Sequence, residues 1–253
     1  MYNTKELPLY KTLTNEEGLI SNALSSLIEP NSSILDIGCG SGAIAMKIKS
    51  SILNLKIDAV ELDVSQIKFN NVFEKIYNLD FEFYEFEKRY DYIILSHVLG
   101  HFNTDFRYNK CLSKIISSNP KCKILIVTNA VIGKFKIIQE AIWELINDRS
   151  YYIDLTQLIG TSSLFNKISI SPILVDLTCQ DQYSFYRLLE TFSPTPLPDK
   201  LPKKLKYLIE EQIMDNNSFS LQIPQFLINV DPSIKITGTY SNCKNHEEIW
   251  ANT

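Results

Sequence analysis

The chain has 253 residues, 45% hydrophobic and 21% charged, with 25 basic and 29 acidic side chains and a formal net charge of −4. This composition excludes a disordered or collagen-like chain, and the slight acidity argues against a protein that lives on nucleic acid or on an anionic membrane surface. The length allows one large or two small globular domains with a sizeable core. The cysteines, Cys39, Cys111, Cys122, Cys179 and Cys243, are odd in number and scattered, which reads as free thiols in a reducing cytosol. No apolar run is long enough to cross a bilayer, and Met1 to Lys11 is polar rather than a charged-then-apolar leader, so the sequence predicts a cytoplasmic protein.

Taken in chain order, residues 15–28 predict a helix with Leu19, Ile20, Ala23, Leu24 and Leu27 on one face and Pro30 beyond its end. Residues 33–37 read as a buried strand, 43–53 as a helix, 56–62 as a strand, 65–72 as a short helix and 73–78 as a third strand. Strands follow at 90–95 and 121–128 with a helix at 104–118 between them. Five strands alternating with helices predict an α/β fold, a doubly wound and mostly parallel sheet with helices on both faces. Beyond it, 134–147 is an amphipathic helix, 154–160 a short helix, 167–178 an alternating strand, 184–192 and 203–215 helices around a proline-rich turn, and 219–230 a last strand. Residues 231–253 carry no periodicity and read as a flexible tail.

The chemistry is concentrated where the first strand ends. Eight residues are glycine, and three of them fall at Gly38, Gly40 and Gly42, in Ile34-Leu35-Asp36-Ile37-Gly38-Cys39-Gly40-Ser41-Gly42. A strand, a glycine turn and a helix in that order let a ligand approach main-chain atoms and meet free N–H groups. The string also satisfies the relaxed dinucleotide pattern, with Glu61 near the place of a ribose acid, so an NAD-dependent oxidoreductase is one reading. Asp36 favours the other: two positions before the first glycine, a carboxylate suits a ligand with a cationic end better than a pyrophosphate.

This string resembles the first motif of class I S-adenosylmethionine-dependent methyltransferases. The resemblance implies a Rossmann-like sheet of about seven strands whose last strand is antiparallel, and S-adenosyl-L-methionine as cofactor with S-adenosyl-L-homocysteine as product. It implies cofactor contacts from Asp36, Gly38, Cys39, Gly40 and Gly42. Val60-Glu61-Leu62-Asp63 matches the acid that accepts the ribose hydroxyls, giving Glu61 and its neighbour Leu62. Asn78-Leu79-Asp80-Phe81 matches the adenine contact, giving Asp80 and Phe81, with Glu82, Glu85 and Glu87 as rivals. Tyr90 to His101 resembles the fourth strand and its loop, which places Ser96 and His97 beside the transferable methyl and makes His97 and His101 candidate bases. The family's Asn/Asp-Pro-Pro-aromatic sequence for nucleobase amines is absent from that loop, which lowers the case for a DNA-adenine substrate.

Short matches look like the histamine N-methyltransferase branch: Thr14-Asn15-Glu16-Glu17, Val60-Glu61 with Ser65-Gln66-Ile67, Ile142-Trp143, Asp154 to Leu158, and Phe226-Leu227-Ile228. They imply that Glu16 pairs with a substrate amine and is a candidate base, that Trp143 and Tyr151 or Tyr152 wall an aromatic pocket, and that Gln222 is a polar contact from the last strand. Glu16 could equally stabilise a helix N-terminus, and Trp143 could be core. Cys243 and His246 lack a second spaced pair, so no metal is expected. The expectation is a single domain over 1–230, with its cofactor half at about 30–130 and a substrate side formed by 15–28 and 131–218. It would transfer a methyl group to nitrogen or oxygen of a small molecule. A peptide or RNA methyltransferase, or a non-catalytic cofactor-binding regulator, are the alternatives.

Overall fold

The computed structural model describes residues 7–99, 102, 105–130, 132–147, 167–193, 195–215 and 218–232. The expected helix at 154–160 lies outside them, as do His101, Tyr151, Tyr152, Cys243, His246 and the tail from 233 onward.

Helices α1 (Leu7–Leu13) and α2 (Glu16–Ser25) precede strand β1 (Ser33–Ile37), helix α3 (Ala43–Ser51) and strands β2 (Lys56–Glu61) and β3 (Lys75–Asn78). Strand β4 (Tyr92–Ser96), helix α4 (Asp105–Ser118), strand β5 (Lys123–Asn129) and helix α5 (Gly133–Ile146) complete the first half. The rest comprises strand β6 (Lys167–Cys179), helices α6 (Gln182–Leu188) and α7 (Lys203–Ile213), the two-residue strand β7 (Met214–Asp215) and strand β8 (Ser218–Asp231).

The sheet runs β3-β2-β1-β4-β5-β8-β6, with β7 paired to β8. Strands β1 to β5 pair in parallel, and β8 is antiparallel to both β5 and β6. The expected mostly parallel sheet of about seven strands with an antiparallel last strand is the one observed. Alternate residues of each strand feed two apolar clusters. Ile34, Ile57, Leu125 and Val127 meet α2, α3 and α5 on one face, while Leu35, Ile93, Ile124 and Ile126 meet α4 on the other. On α2, Ile20 and Leu24 lie one turn apart and are completely buried, which is what fixes that helix against the sheet.

Three local expectations are corrected. Residues 65–72 form two 3₁₀ turns, Val64–Gln66 and Asn70–Val72, instead of a helix. The backbone N–H groups of Lys68 and Phe69 donate to the Ser41 carbonyl, so they are drawn out of the i→i−4 ladder into the glycine turn. The helix expected at 184–192 begins at Gln182, where the Asp181 side chain caps Ser184 N–H, and tightens to 3₁₀ over Leu189–Phe192. Helix α1 forms in the polar start, where no element is expected. No helix among the described residues is long and apolar enough to cross a membrane.

Candidate active site

The strand order reverses between β1 and β4, so the carboxyl ends of these two strands face a crevice, the usual ligand position in an open α/β sheet. The glycine turn follows β1 and residues 97–99 follow β4. Gly38, Gly40 and Gly42 have φ of 71°, 54° and 79°, all in the left-handed region that favours glycine. A Cβ on Gly38 would lie 2.7 Å from Val98 Cγ2, so the turn and the loop after β4 touch with no room for a side chain. A Cβ on Gly40 would meet no heavy atom within 4 Å, so the turn is open on that side.

Glu61 ends β2 opposite the turn. Its Oε2 accepts the Gly40 N–H at 2.9 Å and its Oε1 accepts the Asp63 N–H at 3.0 Å. Each oxygen keeps further acceptor capacity. Asp36 is buried on β1, and burial, reinforced by the Glu61 charge, pushes its carboxyl up to about 7. Burial, with the Asp36 and Glu61 charges, also pushes the Cys39 thiol far up, so it is no thiolate nucleophile. Leu62 beside Glu61 is 65% exposed, an apolar surface held at the crevice edge by Asn78 Nδ2 donating to the Leu62 carbonyl at 2.9 Å.

Past β3, Asp80 Oδ1 accepts the Glu82 N–H at 2.9 Å and Oδ2 lies 3.6 Å from Arg107 Nη2. Phe81 is buried against Tyr84, Phe86 and Phe102. The rival acids are engaged or solvated: Glu82 accepts from Arg107 Nε at 2.9 Å, Glu87 from Lys75 Nζ at 2.6 Å and Tyr77 hydroxyl at 3.0 Å, and Glu85 is exposed.

A second cluster gathers at the ends of β4, β5 and β8. The start of α2 is stitched to β6 by a Thr14–Leu177 bridge and by the Asp176 N–H donating to Asn15 Oδ1 at 3.2 Å. That fixes Glu16. Its Oε1 accepts the Tyr10 hydroxyl at 3.2 Å and Gln225 Nε2 at 2.5 Å, and His97 Nε2 lies 3.5 Å away. Among the described residues no donor reaches Glu16 Oε2. Burial and the Glu16 charge hold the Tyr10 phenol well above its usual range, so Tyr10 stays a donor. His97 has φ of 54°, uncommon for a residue with a side chain, and its N–H donates to the Val127 carbonyl at 2.9 Å. Ser96 Oγ, His97 Nε2 and Gln225 Oε1 are buried atoms without a hydrogen-bond partner among the described residues, the unfilled acceptors and donors a ligand pocket would offer.

Gln225 is the residue that sequence reasoning missed. It is completely buried, and Nε2 also reaches Asn129 Oδ1 at 3.3 Å. Gln222, the expected contact, sits on the opposite face of β8, exposed, with Nε2 3.3 Å from Asp176 Oδ1, so the structure does not bring it together with Glu16. The signal was in the alternation, because Phe219, Leu221, Ile223 and Leu227 share the apolar parity and Gln225 interrupts it. Trp143 is buried on α5.

The model of the methyltransferase domain family matches residues 15–137, from α2 through the glycine turn, Glu61 and the loop after β4 into α5. This chain carries an S-adenosylmethionine-dependent methyltransferase domain. Solved structures share the methyltransferase's fold at low identity. A phosphoethanolamine N-methyltransferase 2 of Haemonchus contortus, in complex with phosphomonomethylethanolamine and S-adenosylhomocysteine, is 18% identical over 86% of this chain and 52% of that one, with a TM-score of 0.53. The YcgJ protein of Bacillus subtilis is 13% identical over 88% of this chain and 98% of that one, with a TM-score of 0.52. A Bacillus halodurans C-125 protein is 13% identical over 85% of this chain and 99% of that one, with a TM-score of 0.54. No curated protein matches the sequence. The methyltransferase's crevice suits its cofactor: the open side of Gly40 admits close approach, Glu61 offers paired acceptors, and no phosphate has to be placed beside Asp36.

Proposed function

We propose that this methyltransferase alkylates a nitrogen, or an oxygen, of a small molecule, with an amine as the favoured acceptor. When bound, the cofactor supplies an activated methyl on a sulfonium, so the chain's task is positioning in a water-poor crevice. In this reading Glu61 accepts the ribose hydroxyls with its remaining lone pairs, and Leu62, Asp80 and Phe81 frame the adenine. Asp36 faces the cationic amino-acid end, and Gly38, Cys39, Gly40 and Gly42 form the floor. Ser96 and His97 stand at the reacting end.

The carrying observation is the Glu16 carboxylate. It is held on one oxygen by Tyr10 and Gln225, with its other oxygen open and the His97 imidazole 3.5 Å away. A fixed anion beside an imidazole suits an amine: Glu16 draws the protonated form in, and His97 or Glu16 takes the proton that must leave before nitrogen can attack. The acids Asp36, Glu61 and Glu16 around one crevice disfavour a phosphate-bearing acceptor by like-charge repulsion. The substrate side assigned to α2 and to residues 131–218 extends this reading to Trp143 on α5.

The test is an acceptor series assayed with methyl-labelled cofactor. Turnover of small primary or secondary amines, with none on peptides or RNA of matched concentration, is the expected outcome. Label entering peptide or RNA and no small acceptor would overturn the small-molecule reading while leaving the methyltransferase assignment intact.

A further inference from the structure

The amino-acid end of the cofactor carries an ammonium and a carboxylate on one carbon. The acids at the crevice, Asp36, Glu61 and Glu16, suit the ammonium and the sulfonium and repel the carboxylate. A site built from them alone leaves that carboxylate without a cation, and an ionised group taken out of water needs one.

Among the described residues, Lys11 on α1 is a cation that reaches the glycine turn. Its Nζ donates to Ser41 Oγ at 3.3 Å and lies 3.0 Å from Glu17 Oε1 on α2. Ser41 is fixed from its other side, because its carbonyl accepts the N–H groups of Lys68 at 3.0 Å and Phe69 at 3.2 Å. A lysine ammonium has three donors, so these two contacts leave one for a ligand. The side chain is 33% exposed, hence neither sealed in the core nor out in bulk water.

We infer that Lys11 binds the α-carboxylate of the cofactor, an inference that rests on the glycine turn being the cofactor site. The neighbouring residue gives this contact a consequence. Tyr10 lies on the same short helix and donates to Glu16, so a cofactor carboxylate held by Lys11 pins α1 and with it the hydroxyl that orients the acceptor acid. Cofactor binding thereby steadies the Tyr10–Glu16 contact.

Calorimetry with two ligands tests this: S-adenosylhomocysteine, and its decarboxylated analogue, which keeps the thioether and ammonium and lacks only the carboxylate. Wild type binds S-adenosylhomocysteine about tenfold or more tightly than the analogue, the scale of a charge-assisted contact. Lys11→Met removes that preference by weakening S-adenosylhomocysteine alone, and Lys11→Arg keeps it. Amide exchange over residues 7–13 slows on adding S-adenosylhomocysteine to wild type and not to Lys11→Met. A wild type without preference, or a Lys11→Met protein weakened equally for both ligands or for neither, overturns the inference. A folded wild type that binds neither ligand instead overturns the cofactor site, and the inference with it.

Discussion

Glu61→Ala lowers affinity for S-adenosylhomocysteine by about a hundredfold or more in protein that remains folded. The carboxylate offers an acceptor on each oxygen, and a hydrogen bond to a charged group contributes roughly 1.5 to 3 kcal/mol, so losing two amounts to about 3 to 6 kcal/mol. Part of that loss arises from the turn, because the Gly40 and Asp63 N–H groups lose their acceptor as well. Glu61→Gln separates the two contributions. It keeps one acceptor oxygen for one N–H and presents an amide donor to the other, so its affinity falls by a smaller factor than that of Glu61→Ala. Calorimetry alongside thermal unfolding checks both variants. Unchanged affinity in Glu61→Ala would remove Glu61 from the cofactor site and leave Asp63, two residues on, as the acid to examine.

The second large effect is kinetic. Glu16→Gln lowers kcat/KM for an amine acceptor by about a hundredfold to ten-thousandfold, the range for a lost general base or its charge, while S-adenosylhomocysteine binds as in wild type. Gln225→Leu removes the buried amide that orients Glu16 and acts in the same direction by a smaller factor, with a rise in KM as Glu16 Oε1 loses a donor. If Glu16 does no more than interact with the N-terminus of α2, Glu16→Gln shifts stability by roughly 0.3 to 1 kcal/mol and leaves kcat/KM alone. Steady-state kinetics with a thermal melt distinguish the two roles.

What could be read from the chain alone follows the range of the forces involved. Strand β1 and the three glycines were legible to the residue because a buried apolar run and a left-handed turn are local requirements. The strand-end position of Glu61 was legible because it directly follows Val60, which pairs in parallel with Ile37 at the end of β1. The turns after β2 were not, since the Lys68 and Phe69 N–H groups are claimed by Ser41, more than twenty residues earlier. The contact that Gln225 makes with Glu16 has a similar origin. Gln222 and Gln225 are both polar and three apart on one strand, so they face opposite sides; the parity of Phe219, Leu221, Ile223 and Leu227 marks Gln225 as the inward one, while its partner there, Glu16 from α2, has no local signal. The pairing of Tyr10 and Lys11 with α2 and the glycine turn has no local signature at all.

The central claim is that the glycine turn and the Glu16 cluster form one site, with the reacting end of the cofactor between them. A crystal structure with S-adenosylhomocysteine tests it most directly. The expected result is the ribose on Glu61 and the sulfur facing His97 and Glu16, with α1 over the amino-acid end. A ligand whose sulfur opens toward the other face of the sheet, or whose ribose lies away from Glu61, would contradict it.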